Sequence, residues 1–253
     1  IVDWIKDFCE SKKISSWHIL FPSAKDSDLL TELDCHQRSA IQFHWFNQDY
    51  SDFQDYLSGF VSRKRKNIKK ERSRVKEQAI EMEMVTGSEI LPEYWSAFYD
   101  FYQMTYIKRS GHGGYLSRDF FLSVLPKMGD MVVMSVAKIT SRPVAAALYF
   151  KSSNTLFGRY WGCTAEYDFL HFEACYYQGI EYCITHGLSK FDPGAQGEHK
   201  IQRGFNPTKT YSNHFIESRE FSNAVKDFTQ KEADHVERYR LQANELLPFH
   251  KTS

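Results

Sequence analysis

Four ionisable side chains, Glu198, His199, Lys200 and Arg203, stand together in the glycine-punctuated stretch GAQGEHKIQRGF. Such a run does not belong in an apolar interior. Lys200 and Arg203 are the types that clamp a phosphate or carboxylate, and Glu198 or His199 can accept a proton near neutral pH. Gln196 adds an amide to the same loop. The plain alternative is a solvated loop laced with exposed ion pairs. A second group, His171 and Glu173, opens an apolar-striped segment. Glu173 near a helix N-terminus gains from the dipole, so a structural role is open to it. His171 falls about 100° from Phe172 around a helix, off the apolar stripe. A third group, Arg159, Tyr160 and Trp161, closes a short apolar run.

The elements between these groups bring them together. Residues 155–161 carry the aromatic and β-branched residues of a strand. Residues 169–186 place Phe169, Phe172, Tyr176, Ile180 and Cys183 at helical spacing, and Gly187 suits a left-handed C-cap. Residues 189–192 form a second short strand. Strand, helix, strand at this spacing is a right-handed crossover, so the two strands are expected to be parallel. Ligands of such units bind beyond the carboxyl ends of the strands. That sets 159–161 beside 194–200.

Upstream, residues 131–138 and 143–151 join the 155–161 strand in an antiparallel meander. Residues 210–216 give a last strand and 221–246 a long polar helix. The first fifty residues alternate helix (1–12), strand (16–21), helix (26–33, capped by Asp26 or Ser27) and strand (39–46). Residues 52–80 read as one long helix crossed by SRKRKNIKKERSR, with Arg65, Lys69, Arg72 and Lys76 on one stripe. That stripe is either a solvated face or a polyanion contact, for tRNA or a pyrophosphate-linked substrate. Pro92 opens a helix with an aromatic face (Tyr94, Phe98, Phe101, Tyr102, Tyr106). Core packing explains that face, and some of its rings could line an acceptor groove.

The 32 basic and 32 acidic residues cancel, so bulk charge does not direct the chain to nucleic acid or membrane. The five cysteines are odd in number and lack a CxxC pair, which suits a reduced, cytoplasmic setting. No apolar run reaches the ~18 residues of a membrane span, and no secretory segment opens the chain. The first residue is Ile, so the chain reads as a fragment of a longer protein. His171 and Cys175 are half a metal site without a second half, and Cys163 lacks an evident partner. Neither a metal nor a covalent intermediate is expected.

The order meander, helix, parallel strand, loop, strand resembles the GNAT acyltransferase fold. The run HKIQRGFNPTKTYSNHF resembles the segment of Fem-type peptidoglycan aminoacyltransferases in which a Lys, a Gly-Phe pair and a strand close the second GNAT-like domain. The strings SRKRKNIKKE, GRYWG, LHFEACYYQGIE and GAQGEHKIQRGF resemble the FemAB-like peptidoglycan biosynthesis/recognition proteins over nearly the whole chain. The resemblance implies an α/β (α+β) class, with a GNAT-like mixed sheet flanked by helices. It implies a tandem arrangement whose first lobe is incomplete. Residues 1–50 would be the remainder of that lobe, 51–80 the linking basic helix and 81–253 the second domain.

The implied chemistry is transfer of an acyl or aminoacyl group to a small-molecule or peptide amine, such as a peptidoglycan precursor. The alternative is a non-catalytic module binding muropeptide or another anion. On the first reading Glu198, His199, His171 and Glu173 are catalytic. Arg159, Tyr160, Trp161, Gln196, Lys200 and Arg203 bind substrate, and Arg65, Lys69, Arg72 and Lys76 bind polyanion. The donor is acyl-CoA or aminoacyl-tRNA, with no other cofactor. One departure weighs between the donors. Residues 162–168 (GCTAEYD) hold one glycine and two acids where GNAT enzymes carry a glycine-rich phosphate loop.

Overall fold

The computed structural model describes residues 1–195 and 197–250. In chain order its elements are α1 (Val2–Lys12), β1 (Ser16–Leu20), α2 (Ala24–Glu32), β2 (His36–Phe46), α3 (Phe53–Ser58), α4 (Ser62–Glu77) and β3 (Glu81–Thr86). Then come α5 (Pro92–Ser110), β4 (Val132–Ile139), β5 (Arg142–Lys151), β6 (Thr155–Cys163), the helical run α6 (170–185), β7 (Lys190–Asp192), β8 (Asn206–Ile216) and α7 (Arg219–Glu245). They form two compact units. One is Ile1–Gln42 with Asn206–Leu247; the other is Phe43–Phe205 with the tail from Pro248.

In the first unit β1 pairs antiparallel with β8, which also borders the first part of β2. Its core gathers Cys9, Trp17, Leu30 and Cys35. The α2 cap stands earlier than the sequence suggested. Ser23 accepts the Asp26 N–H at 3.1 Å and donates its hydroxyl to the Asp26 carboxylate at 2.6 Å. Ser27 is instead buried and donates to the Asn213 side chain.

The second unit is a mixed sheet in the order β2 (its end), β7, β6, β5, β4, β3. The meander β4–β5–β6 is antiparallel, and β6 pairs parallel with β7, in the GNAT-like order. Strand β4 reads VVMSVA and is buried at every one of those positions. A continuous apolar strand signals cover on both faces. Val132, Met134 and Val136 pack with Phe98, Phe101 and Phe121 on the α5 side; Ala137 packs with Leu170 of α6. The approach of α5 is close: a Cβ on Gly162 would strike the Phe101 backbone. Glycine there is a packing requirement.

Two elements differ from their sequence outline. The helix expected over 52–80 is two, α3 and α4, broken at Gly59–Val61. Backbone bonds to the C-terminal tail use up those peptide groups: Val61 N–H donates to Pro248 O at 2.9 Å and His250 N–H to Gly59 O at 3.0 Å. Helix α6 is continuous but contains a π-helical turn at Glu173–Tyr177. Such turns insert one residue and re-aim the side chains around them. It ends as expected, with Gly187 at φ 64 and the Leu188 N–H on Cys183 O. Among the described residues no helix is long and apolar enough to cross a membrane.

Candidate active site

Strands β6 and β7 stay paired for three residues only, from Thr155↔Lys190 to Phe157↔Asp192. Beyond Asp192 the chain turns away at Pro193–Gly194, while β6 runs on to Cys163 against β5 alone. Arg159 is the extra residue of a bulge, set between the pairs Tyr149↔Gly158 and Leu148↔Tyr160. Gly158 lets the turn pass: a Cβ there would lie 3.2 Å from Pro193 Cα. The divergence opens a cavity of about 570 Å³ beyond the carboxyl ends of the parallel pair. Its walls are the β6 edge (Gly158–Trp161), the last turns of α5 (Tyr102, Tyr106, Arg109), α6 (His171, Cys175, Tyr176) and the turn with Gly197, His199 and Lys200. No Asp or Glu is among its described lining residues. The lining is aromatic and cationic.

His199 is held by the rings around it. Its Nε2 lies 2.9 Å from the Tyr176 hydroxyl, with the Phe172 and His171 rings 5.5 and 6.3 Å away. Burial, then the charges of Arg203 and Lys200, hold its pKa below the ordinary histidine value. A neutral imidazole at pH 7 can accept a proton. The Tyr176 phenol, itself pushed up by burial, stays protonated and can donate to Nε2. Lys200 is buried and donates to Gly194 O at 2.6 Å, leaving further Nζ protons for a ligand. Burial draws its pKa down to about 8, with Asp192 opposing the shift. It is charged at neutral pH and loses that charge in mild alkali.

His171 lies among Trp161, Phe172 and Tyr176. Burial, then His199 and Arg109, pull its pKa down to about 4. The unfolded chain therefore binds more protons than the folded one between pH ~6.5 and ~4. Stability present above ~6.5 is lost as pH falls through that window, by up to about 3 kcal/mol. His171→Phe should flatten this part of the wild-type stability curve in urea titrations at stepped pH. An unchanged slope contradicts the assignment.

Of the residues singled out in the sequence, His171, His199, Lys200, Arg159, Tyr160 and Trp161 converge on this cavity. Glu198 is exposed and is not among the lining residues. Gln196 lies outside the described residues. Glu173 points to Arg72, whose Nη2 is 2.9 Å from Glu173 Oε1 and 2.7 Å from Glu181 Oε2. That guanidinium also stacks 4.5 Å from the Phe53 ring centroid, so Arg72 faces inward. Arg65 donates to Ser58 O at 3.3 Å, while Lys69 and Lys76 are exposed. Arg203 is buried against Glu71. Sequence reasoning missed Arg109 and Tyr176 as cavity residues, reading Tyr176 as core stripe. The signal for Arg109 was its place on the aromatic α5 face, one turn beyond Tyr106.

The segment before α6 is tied to α4 and its C-cap through Asp168. Asp168 takes its backbone N–H to Gln78 Oε1, its carbonyl accepts from Gln78 Nε2, and its carboxylate pairs with Arg74 at 3.3 Å. Glu166 is exposed beside Lys108.

The family model for FemAB-like proteins, described as peptidoglycan biosynthesis/recognition, matches residues 1–251. The chain belongs to the FemAB-like family. No curated protein matches it in sequence. Among solved structures, a C-terminal domain assigned to a lysylphosphatidylglycerol synthetase from Agrobacterium fabrum aligns with a TM-score of 0.60 at 11% identity, over 90% of this chain and 77% of that one. L-PGS from Bacillus licheniformis gives 0.59 at 12%, over 89% and 76%. FemX gives 0.58 at 11%, over 89% and 78%. At such identities the likeness to these structures is one of fold, and the FemAB-like cavity must be read from its own residues.

Proposed function

We propose that this FemAB-like protein transfers an aminoacyl group from tRNA to an amine of a peptidoglycan precursor. The carrying observation is the cavity itself. It pairs a neutral, hydrogen-bonded His199 with a charged Lys200, and no carboxylate is among the described lining residues. The amine nitrogen attacks the ester carbonyl carbon, the C–N bond forms and the ester C–O bond breaks. The amine's proton passes through the Tyr176 hydroxyl to His199 and then to the leaving ribose oxygen. Lys200 faces the negative charge that develops on the carbonyl oxygen. Arg109 and Arg159 at the cavity wall suit the anionic groups of donor or acceptor. One structural neighbour is named for an aminoacylated product, lysylphosphatidylglycerol, which supports an aminoacyl donor.

The two acids of segment 162–168, with Asp168 bound to Gln78 and Arg74, support aminoacyl-tRNA over acyl-CoA. The expected result of calorimetry is no saturable heat with acetyl-CoA, and salt-sensitive binding with aminoacyl-tRNA. Saturable acetyl-CoA binding overturns the choice of donor. Binding of muropeptide without transfer from any donor favours a binding module.

A further inference from the structure

We infer that Glu71 is a positioning residue: through Arg203 it fixes the turn carrying His199 and so sets where the imidazole stands in the cavity. This rests on reading His199 as the proton acceptor. Arg203 closes the turn Glu198–Arg203 and is only 6% exposed. Its Nη2 donates to both Glu71 oxygens at 2.9 Å, and its Nη1 donates to His199 O at 2.8 Å. The guanidinium lies 3.5 Å from the centroid of Phe172, the ring that also flanks His199. One planar group thus fixes the His199 backbone and one wall of its imidazole.

Glu71 belongs to α4 and also accepts the Tyr177 hydroxyl of α6. The same carboxylate therefore ties α4 to α6 and to the turn. Tyr56 adds a bond from its hydroxyl to Arg203 O at 2.6 Å. Arg203, read from sequence as an anion clamp, has both Nη groups engaged by protein oxygens, while its buried Nε makes no hydrogen bond. A buried ion pair is a poor device for stability alone, whereas a planar fork fixes geometry.

The test is the titration of the His199 imidazole, followed by NMR in the ¹³C-histidine-labelled full chain and assigned with His199→Gln. Glu71→Gln alone leaves a buried cation and lowers the melting temperature. Glu71→Gln/Arg203→Met removes both partners and should regain most of that loss. In the double variant the His199 midpoint should still rise toward the ordinary histidine value, because the neighbouring charge and the packed wall are gone. Arg203→Lys keeps the charge but loses the fork, and should move the His199 ring shifts at constant pH. A double variant with restored stability and wild-type His199 titration overturns the proposal. So does Arg203→Lys with unmoved ring shifts, which decides the matter if the double variant fails to fold. The readout needs no turnover. A His199→Gln protein that still transfers would sink the functional reading and leave this structural coupling measurable.

Discussion

His199→Gln is expected to keep the wild-type melting temperature and lose aminoacyl transfer by roughly 10²–10⁴-fold, the usual contribution of a positioned general base. The stability half follows from the site. His199 is exposed at one edge, and glutamine retains a polar end for the Tyr176 hydroxyl. The catalytic half follows from the proton. Attack by an amine on an ester gives a zwitterionic adduct whose nitrogen must lose a proton, and the Tyr176–His199 pair is a hydrogen-bonded acceptor in the cavity. Tyr176→Phe should lower turnover in the same direction by breaking the route to Nε2. The wild-type pH profile carries both limbs. Turnover should rise with pH through a midpoint below ordinary histidine, because burial and the cations Arg203 and Lys200 depress His199. It should fall again near pH 8 as Lys200 deprotonates. Lys200→Met should remove the alkaline limb along with most of the activity.

Arg72→Met should cost about 3 kcal/mol of stability, near the lower end of what stranding one partner of a buried ion pair costs. The Glu173 side chain is 4% exposed and Arg72 21%, so Arg72 keeps some solvent, and the figure is set low for that reason. Loss of the cation leaves the Glu173 carboxylate accepting from Gln178 Nε2 at 2.8 Å and frees Glu181 to solvent. For a chain of 253 residues, 3 kcal/mol corresponds to roughly 6–12 °C in melting temperature. Arg72→Met/Glu173→Met should recover much of it, since an apolar pair of similar volume replaces a desolvated one. A loss below about 1 kcal/mol in the single variant would mean that Arg72 behaves as a surface cation, as its place in a basic run suggests at first sight.

That basic run shows where sequence reasoning stops. Period and charge alone placed Arg72 on one stripe with Arg65, Lys69 and Lys76. No pattern in 62–77 says that the neighbouring Glu71 and Arg72 turn toward α6, because their partners Glu173, Glu181, Tyr177 and Arg203 lie about a hundred residues on. The crossover was legible for the opposite reason. The 3.6-residue stripe, Gly187 and the flanking apolar runs are local signals, and they gave the parallel pairing of β6 with β7. The same logic brought Arg159–Trp161 to His199 and Lys200. The split of the 52–80 helix was not legible, since Phe60 and Val61 look helical until the distant tail residues Pro248 and Phe249 pair with them. Tyr176 was counted with the core because its spacing fits the stripe; the π-helical turn that holds it beside His199 leaves no mark in hydrophobic period.

The most direct measurement is single-turnover transfer of a labelled amino acid from charged tRNA to muropeptide amines, with wild type beside His199→Gln. The account predicts a labelled amide with wild type and at least a hundredfold slower formation with the variant. Equal rates in the two proteins would contradict the role of His199. Label transferred from acetyl-CoA and from no aminoacyl-tRNA would contradict the donor.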